Sequence, residues 1–112
     1  MSVPRLNRLL TLESPARVAD GAGGFLQSWT ALGEHWAQVT ARTGRETQVA
    51  AVAVSTVPHT IVLRAAPVGH PARPVPEQRF REGSRVFHIR SVAEADPEAR
   101  YLVCMADEEV VR

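Results

Sequence analysis

Four histidines are the side chains of this sequence best suited to bind a metal ion. They are His35, His59, His70 and His88. Metal sites in short chains commonly place two ligands three or four residues apart, as in H-x-x-x-H or H-E-x-x-H. No histidine here has such a partner, and a single cysteine cannot form a zinc-binding cluster. The spacing predicts no metal site and no cofactor.

Nucleophilic and phosphate-binding chemistry has equally little support. Cys104 lies in the apolar run 102–105, where a buried cysteine behaves as a small hydrophobic side chain. No G-x-S-x-G sequence occurs, and the glycines at 21, 23 and 24 are not followed by the lysine of a phosphate-binding loop. Glycines at this density are typical of a tight turn. We therefore expect no catalytic residues and no enzymatic activity.

Composition limits the function further. The chain has 112 residues, of which 45% are hydrophobic and 22% charged, and this predicts one folded domain spanning residues 1–112. A net charge of +1 excludes a polybasic protein that binds DNA through bulk electrostatics, and 5% aromatic residues argue against a surface that stacks bases. The apolar run 49–54 is too short to span a membrane, and the N-terminus lacks a signal-peptide h-region. We expect synthesis in the cytoplasm and no membrane partner.

The elements that must position these side chains are short runs separated by turn signals, a pattern that predicts a mainly β domain. About six strands are most simply arranged as an antiparallel barrel or a small sandwich, and closure of a barrel removes exposed sheet edges. The expected fold is a small antiparallel β-barrel with long loops and at most one short helix. The six predicted strands cover residues 6–13, 35–42, 59–65, 78–82, 85–92 and 101–105.

Alternation along residues 35–42 assigns the two faces of one strand. Ala37 and Val39 share the parity expected to face inward, whereas Trp36 lies on the opposite parity, at the edge of the packing. The next stretch, 42–55, is polar and then rich in Ala and Val, so its local preference does not decide between a short helix and a loop. The proline-rich segment 66–77 is predicted to be a surface excursion.

Charge is distributed unevenly along the chain. Residues 64–90 hold six Arg and two Glu, whereas residues 91–112 hold two Arg and six acidic residues. Two interpretations are open. The basic and acidic stretches could neutralise each other within one chain, or they could form oppositely charged faces that meet between subunits of a head-to-tail ring.

The order of features along nearly the whole chain resembles a known family. The motifs are R-L-N-R at 5–8, A-D-G-A-G-G at 19–24 followed by Ser28 and Trp29, E-H-W-A-Q-V at 34–39, T-G-R-E at 43–46, T-I-V-L-R at 60–64, R-V-F-H-I-R-S-V at 85–92 and Y-L-V-C at 101–104. In this order they resemble the head–tail joining, or head-closure (stopper), proteins of long-tailed phages. Within that family they are most similar to the stopper of alphaproteobacterial gene transfer agents.

The resemblance implies a structural protein of the virion or phage-like particle neck, without catalytic activity. It implies a homo-oligomeric ring, a hexamer, between the portal and adaptor on the head side and the tail terminator on the tail side. Double-stranded DNA would pass through the lumen without sequence recognition. In related stoppers a loop after the second strand projects into the channel, and segment 42–55 maps there. The implied channel-facing candidates are Arg42, Arg45, Glu46 and Gln48.

Further candidates concern packing and contacts between rings. Trp29 and Trp36 are expected to fix the fold or a subunit contact, because buried aromatic side chains contribute strongly to packing. The proline-rich segment and the acidic end of the chain are expected to contact neighbouring rings, since pre-extended segments lose little entropy on docking. The candidate residues for these contacts are Pro71, Arg73, Pro74, Asp107, Glu108 and Glu109.

Two alternatives remain at this point. The chain could form another ring of the same neck, such as the tail terminator. It could instead be a free-standing oligonucleotide-binding barrel, which needs exposed aromatic residues interleaved with basic ones. The sequences R-F-R at 79–81 and R-V-F at 85–87 offer a short version of that pattern.

Overall fold

The computed structural model of the protein describes residues 3–42 and 56–109. It contains six strands and, within those two ranges, no helix. The strands are β1 (Arg8–Ala19), β2 (Phe25–Ala41), β3 (Thr56–Arg64), β4 (Arg79–Glu82), β5 (Arg85–Glu94) and β6 (Tyr101–Glu109). The predicted mainly β class is confirmed. No helix of the described ranges is long and apolar enough to cross a membrane.

The six strands form one closed barrel in the order β1-β2-β3-β6-β5-β4, with every pairing antiparallel. The ring closes between β1 and β4, where only three residue pairs meet, from Thr11 with Arg81 to Glu13 with Arg79. This is the shortest pairing of the barrel, so side chains have to contribute to holding it.

The core follows the alternation that the sequence shows. Leu10 and Leu12 of β1 are fully buried, as are Phe80 of β4 and Phe87 of β5. Ala37 points inward while its neighbour Trp36 is exposed, in agreement with the predicted parity of this strand. The remaining buried apolar side chains come from the other strands: Ile61, Leu63, Ile89, Leu102, Cys104 and Ala106.

Strands β1 and β2 extend well beyond the barrel and form a two-stranded hairpin, which we call the arm (residues 14–31). Among the residues that the structure describes, β1 pairs here with β2 alone, because its pairing with β4 ends at Glu13. The register shifts between Leu12 and Glu13, opposite Gly33, whose φ of 136° is readily adopted only by glycine. The strands predicted at 6–13 and 35–42 cover only the barrel parts of β1 and β2. Pro15 and Gly33 would be expected to interrupt a strand, yet Pro15 lies within β1 and Gly33 lies within β2.

The tip of the arm is a tight connection, as the glycine cluster predicts. The Asp20 carboxylate accepts hydrogen bonds from the backbone N–H groups of Ala22 and Gly24, and the Asp20 N–H donates to the Gly24 carbonyl. Gly23 has a φ of 86°, which fits its residue type. These bonds fix the tip as one conformation rather than a loose loop.

The proline-rich segment lies between β3 and β4 and has no regular structure. Pro71 is exposed, but Pro74 is fully buried, and Arg73 is half-buried and donates to the Ala66 carbonyl. The segment is therefore only partly a surface excursion, because its central proline packs into the protein. On the opposite end of the barrel, Arg42 follows β2, and residues 43–55 lie outside the described ranges.

Phe80 tests the importance of the barrel seam. It pairs with Leu12 across β1 and β4 and is fully buried, so we expect Phe80→Ala to lower the free energy of unfolding by about 3–5 kcal/mol. Phe25→Ala removes the same ring from the exposed arm and should change it by less than about 0.5 kcal/mol. Urea unfolding followed by circular dichroism measures both; equal losses would show that the seam does not depend on this core contact.

Candidate interaction surfaces

A buried carboxylate holds the junction between the barrel and the arm. Glu13 is only 6% exposed, and its two oxygens accept hydrogen bonds from Arg79 Nε at 2.7 Å and Arg81 Nε at 2.9 Å. The Arg79 guanidinium also lies 4.0 Å from the ring centroid of Trp29 on the arm. One arginine of β4 therefore joins the first strand of the barrel to the second strand of the arm.

The charge state of Glu13 follows from two opposed effects. Burial disfavours the carboxylate and by itself raises its pKa, but hydrogen bonds from Arg81 and Arg79 outweigh this effect. The net pKa of Glu13 lies below its ordinary value of 4.5. Glu13 is therefore ionised at neutral pH, and its single negative charge is shared by the two arginines, so that the cluster keeps a net charge of about +1.

A chain of charged side chains crosses five strands at the end of the barrel where Arg42 lies, which we call the Arg42 end. Arg8 of β1 donates to Glu82 of β4, and Arg85 of β5 donates to Glu108 of β6 at 2.6 and 2.9 Å. Arg85 also lies 3.7 Å from Glu82, and the His59 ring of β3 lies 3.6 Å from Glu108. The series therefore links β1, β4, β5, β6 and β3 in that order.

These contacts lower the pKa of both glutamates. For Glu82 the main cause is the hydrogen bond from Arg8, and for Glu108 it is the hydrogen bond from Arg85. Arg90 donates to Asp107 at 2.9 Å in the same region. The pairs Arg85–Glu108 and Arg90–Asp107 thus join the basic stretch 64–90 to the acidic stretch 91–112 across β5 and β6, so neutralisation within the chain accounts for part of the charge pattern.

The candidate residues for contacts between rings lie at two ends of the molecule. Asp107, Glu108 and Glu109 end β6 at the Arg42 end, whereas Pro71, Arg73 and Pro74 lie in the segment that connects β3 to β4 at the other end. Among the acidic three, Glu109 is the exposed one; the other two are half-buried and engaged in the ion pairs above. The structure brings neither set into contact with the other.

The two tryptophans occupy different environments. Trp29 is half-buried, lies under Arg79 and has its ring centroid 6.3 Å from that of His88. It packs between the arm and the barrel. Trp36 is 57% exposed on the outer face of β2, directly across from Leu9 of β1.

Of the channel-facing candidates, Arg42 is exposed, and its backbone N–H donates to the Pro58 carbonyl. Arg45, Glu46 and Gln48 lie outside the described residues.

The residues considered for chemistry are dispersed. Within the ranges 3–42 and 56–109, no group of three His, Cys, Asp or Glu side chains could hold a metal ion. Cys104 is buried in the core, and burial raises the pKa of its thiol to about 12. The oligonucleotide-binding alternative loses its aromatic residues, because Phe80 and Phe87 are fully buried.

Sequence reasoning missed Glu13, His59 and the arm. Glu13 lies at the end of a predicted strand, and nothing in its neighbourhood indicates that its partners are 66 and 68 residues away. The arm has a weak signal in retrospect: the apolar residues Val18, Phe25 and Leu26 flank the glycine cluster symmetrically, as the two strands of a hairpin would.

With this geometry established, comparison with known proteins decides the family. The family model of the phage head completion protein matches residues 1–109. The chain belongs to the phage head completion protein family. This confirms the family that the motifs of the sequence resembled, together with the structural role that the resemblance implied. No curated protein matches the chain.

Two solved structures are similar over almost the whole chain. A chain of the virion of a native gene transfer agent particle shares 60% sequence identity, with a TM-score of 0.82; the match covers 98% of this chain and 100% of that one. The solution structure of a protein from Shigella flexneri 2a shares 23% identity, with a TM-score of 0.65 and 96% of each chain covered. The second match supports the fold alone.

Replacing Glu13 tests the carboxylate at the junction. Glu13→Gln keeps the shape but removes the charge that two arginines surround, so we expect a loss of about 2 kcal/mol in the free energy of unfolding at pH 7. Because the folded-state pKa is lowered, this contribution is present above the unfolded value of 4.5 and disappears as the pH falls through the folded value. Thermal unfolding of both proteins from pH 7 to pH 3 should show the difference shrinking toward acid.

The matched control for this experiment is Glu34→Gln. Glu34 is exposed on β2 and takes part in none of the ion pairs of the described residues. Its replacement should leave stability unchanged at every pH. A Glu13→Gln protein as stable as the original at pH 7 would contradict the role given to this carboxylate.

The reactivity of Cys104 tests the closed core. Burial and a pKa of about 12 keep the thiol protonated and inaccessible, so iodoacetamide at pH 8 should label the folded protein at least ~100-fold more slowly than the urea-unfolded protein. Mass spectrometry of timed samples gives both rates. Similar rates in the two states would indicate that the barrel opens at β6.

Proposed function

We propose that this protein is a ring-forming connector in the neck of a tailed phage or phage-like gene transfer agent particle, where it joins the head to the tail and closes the DNA channel. The observation that carries the proposal is the match over residues 1–109 to the head completion family, joined by 60% identity to a chain of a gene transfer agent virion. In this proposal the protein works by shape and contact rather than by catalysis.

The arrangement of surfaces supports a position between two other rings. The two ends of the barrel differ: one carries the exposed Arg42 and Glu109, and the other carries the arm and the proline-rich segment with the exposed Pro71. A subunit with different surfaces at its two ends can bind one partner on each side. We assign the portal and adaptor to one side and the tail terminator to the other, and the proposed ring is a hexamer.

The six proposed contact residues take different parts in this arrangement. Pro71 and Glu109 are exposed and can contact a neighbouring ring directly. Pro74 is buried and Arg73 donates to the Ala66 carbonyl, so these two hold the segment in shape for the contact. Asp107 and Glu108 are held by Arg90 and Arg85 and keep the end of β6 ordered beside Glu109.

The proposed channel-lining segment is 42–55, with Arg42, Arg45, Glu46 and Gln48 facing the lumen. The support from the described residues is limited to Arg42, which is exposed where this segment leaves β2. A lumen that lets double-stranded DNA slide needs few phosphate contacts, since affinity and its salt dependence rise with each neutralised phosphate. A mixture of two arginines, one glutamate and one glutamine meets this requirement.

Removing the protein from a particle-producing strain tests the proposal. We expect electron microscopy to show tail-less heads that have lost their DNA, because no ring closes the channel or offers a tail-binding surface. Expression of the protein from a plasmid should restore tailed, filled particles. Normal tailed particles in the deletion strain, or purified particles that do not contain the protein, would overturn the connector role.

A further inference from the structure

Two apolar patches on this molecule have no partner among the described residues. The first, the tip patch, lies at the end of the arm, with Val18 and Leu26 on one face of the ribbon and Phe25 on the other; these side chains are 53, 62 and 60% exposed. The second, the side patch, consists of Leu9 and Trp36, which lie opposite each other on the outer face of β1 and β2. Exposed large apolar side chains gathered at two places are typical of surfaces that bind another protein.

The two patches cannot cover each other within one chain. They lie on the same two-stranded ribbon, with the Leu9–Trp36 pair at one end and the Val18–Leu26 pair nine residues further along. At about 3.3 Å per residue this separates them by roughly 30 Å. Pairing of β1 with β2 throughout keeps the ribbon extended. Each patch therefore needs a surface from another molecule.

Charges beside the patches indicate that they fit each other. Arg17 lies next to the tip, with its guanidinium 4.6 Å from the Phe25 ring centroid. Glu34 lies two residues from Trp36 and is exposed. Neither takes part in the ion pairs found among residues 3–42 and 56–109, unlike most charged residues of the barrel. The Phe25 face of the tip patch is thus flanked by an available positive charge and the side patch by an available negative one.

One neighbouring charge opposes this fit. Arg64 is exposed at the end of β3, one step beyond the Ala37–Leu63 pair, and so lies beside Trp36. An Arg17–Glu34 pair at the surface contributes little energy in any case. Burial of the apolar side chains supplies the larger share of the binding energy, and the charges set the orientation.

We propose that the tip patch of one copy docks on the side patch of the next copy, so that each arm reaches along its neighbour. Such a contact joins two different surfaces and is therefore head-to-tail; it closes into a ring when the rotation per subunit completes a circle. The proposal rests on the ring-forming function above and assigns that ring the residues of its subunit contact.

The junction described above prepares the arm for this contact. Glu13, Arg79 and Trp29 fix the direction in which the arm leaves the barrel, and Asp20 fixes its tip. A surface that is already ordered loses little entropy when it binds. The tip can therefore dock with a few apolar side chains.

Cross-linking tests the contact. The double variant Leu26→Cys/Trp36→Cys places one thiol in each patch, while Cys104 is buried and, with its raised pKa, does not compete. A short bismaleimide should then link copies into a ladder of dimers, trimers and larger species, both in purified particles and in concentrated purified protein. The matched control is Leu26→Cys/Thr40→Cys, with an exposed thiol on the same strand as Trp36. We expect the first pair to link at least ~10-fold more chains than the control, because docking raises the effective thiol concentration.

Each other result overturns a defined part of the argument. Dimers from Leu26→Cys alone would show tip-to-tip pairing and overturn the head-to-tail contact, as would a control ladder of equal yield. Absence of the ladder from both particles and purified protein would overturn it as well, including the case where the tip links to a different particle protein. A ladder in purified protein that is missing from particles containing the protein would show that the ring uses another contact and would overturn this proposal, whereas particles that lack the protein altogether would overturn the connector function.

Discussion

The carboxylate of Glu13 lies where two structural requirements meet. The barrel must close between β1 and β4, which share only three residue pairs, and β1 must continue past that seam as part of the arm. Two arginines of β4 supply the hydrogen bonds that make a buried carboxylate stable, and these bonds fasten the seam at the same time. Arg79 also lies over Trp29 of the arm. The same side chain that helps to close the barrel therefore also fixes the direction of the arm.

Ion pairs between neighbouring strands also hold the barrel together. The series from Arg8 through Glu82, Arg85 and Glu108 to His59 follows the spatial order of five strands rather than their order in sequence. Single exposed pairs add little stability, but charges that share partners reinforce one another. They also pair Arg8 and Arg85 with glutamates of the same chain, while Arg17, Arg42 and Arg64 remain exposed.

The parts of this fold that depend on near neighbours could be predicted from the sequence. Alternation identified the inward face of the strand around Ala37, and the glycine cluster identified the turn at the tip. The arm could not be predicted in this way, because Pro15 and Gly33 are local signals for a break. A proline is tolerated more readily in an edge strand, and among the described residues β1 pairs with β2 alone beyond Glu13. The partners of Glu13 depend on strand order, which no local pattern contains.

The arm also explains why a small barrel can serve as a joint. A barrel has no free sheet edges, so on its own it offers neighbours only side chains on a curved surface. Extending two strands beyond the ring of hydrogen bonds restores an accessible surface at a distance from the core, without opening the barrel. The exposed apolar side chains at the tip of the arm would promote aggregation of a monomer. The docking of the tip on a neighbouring copy that is proposed above would cover Val18, Phe25 and Leu26 in the assembled particle.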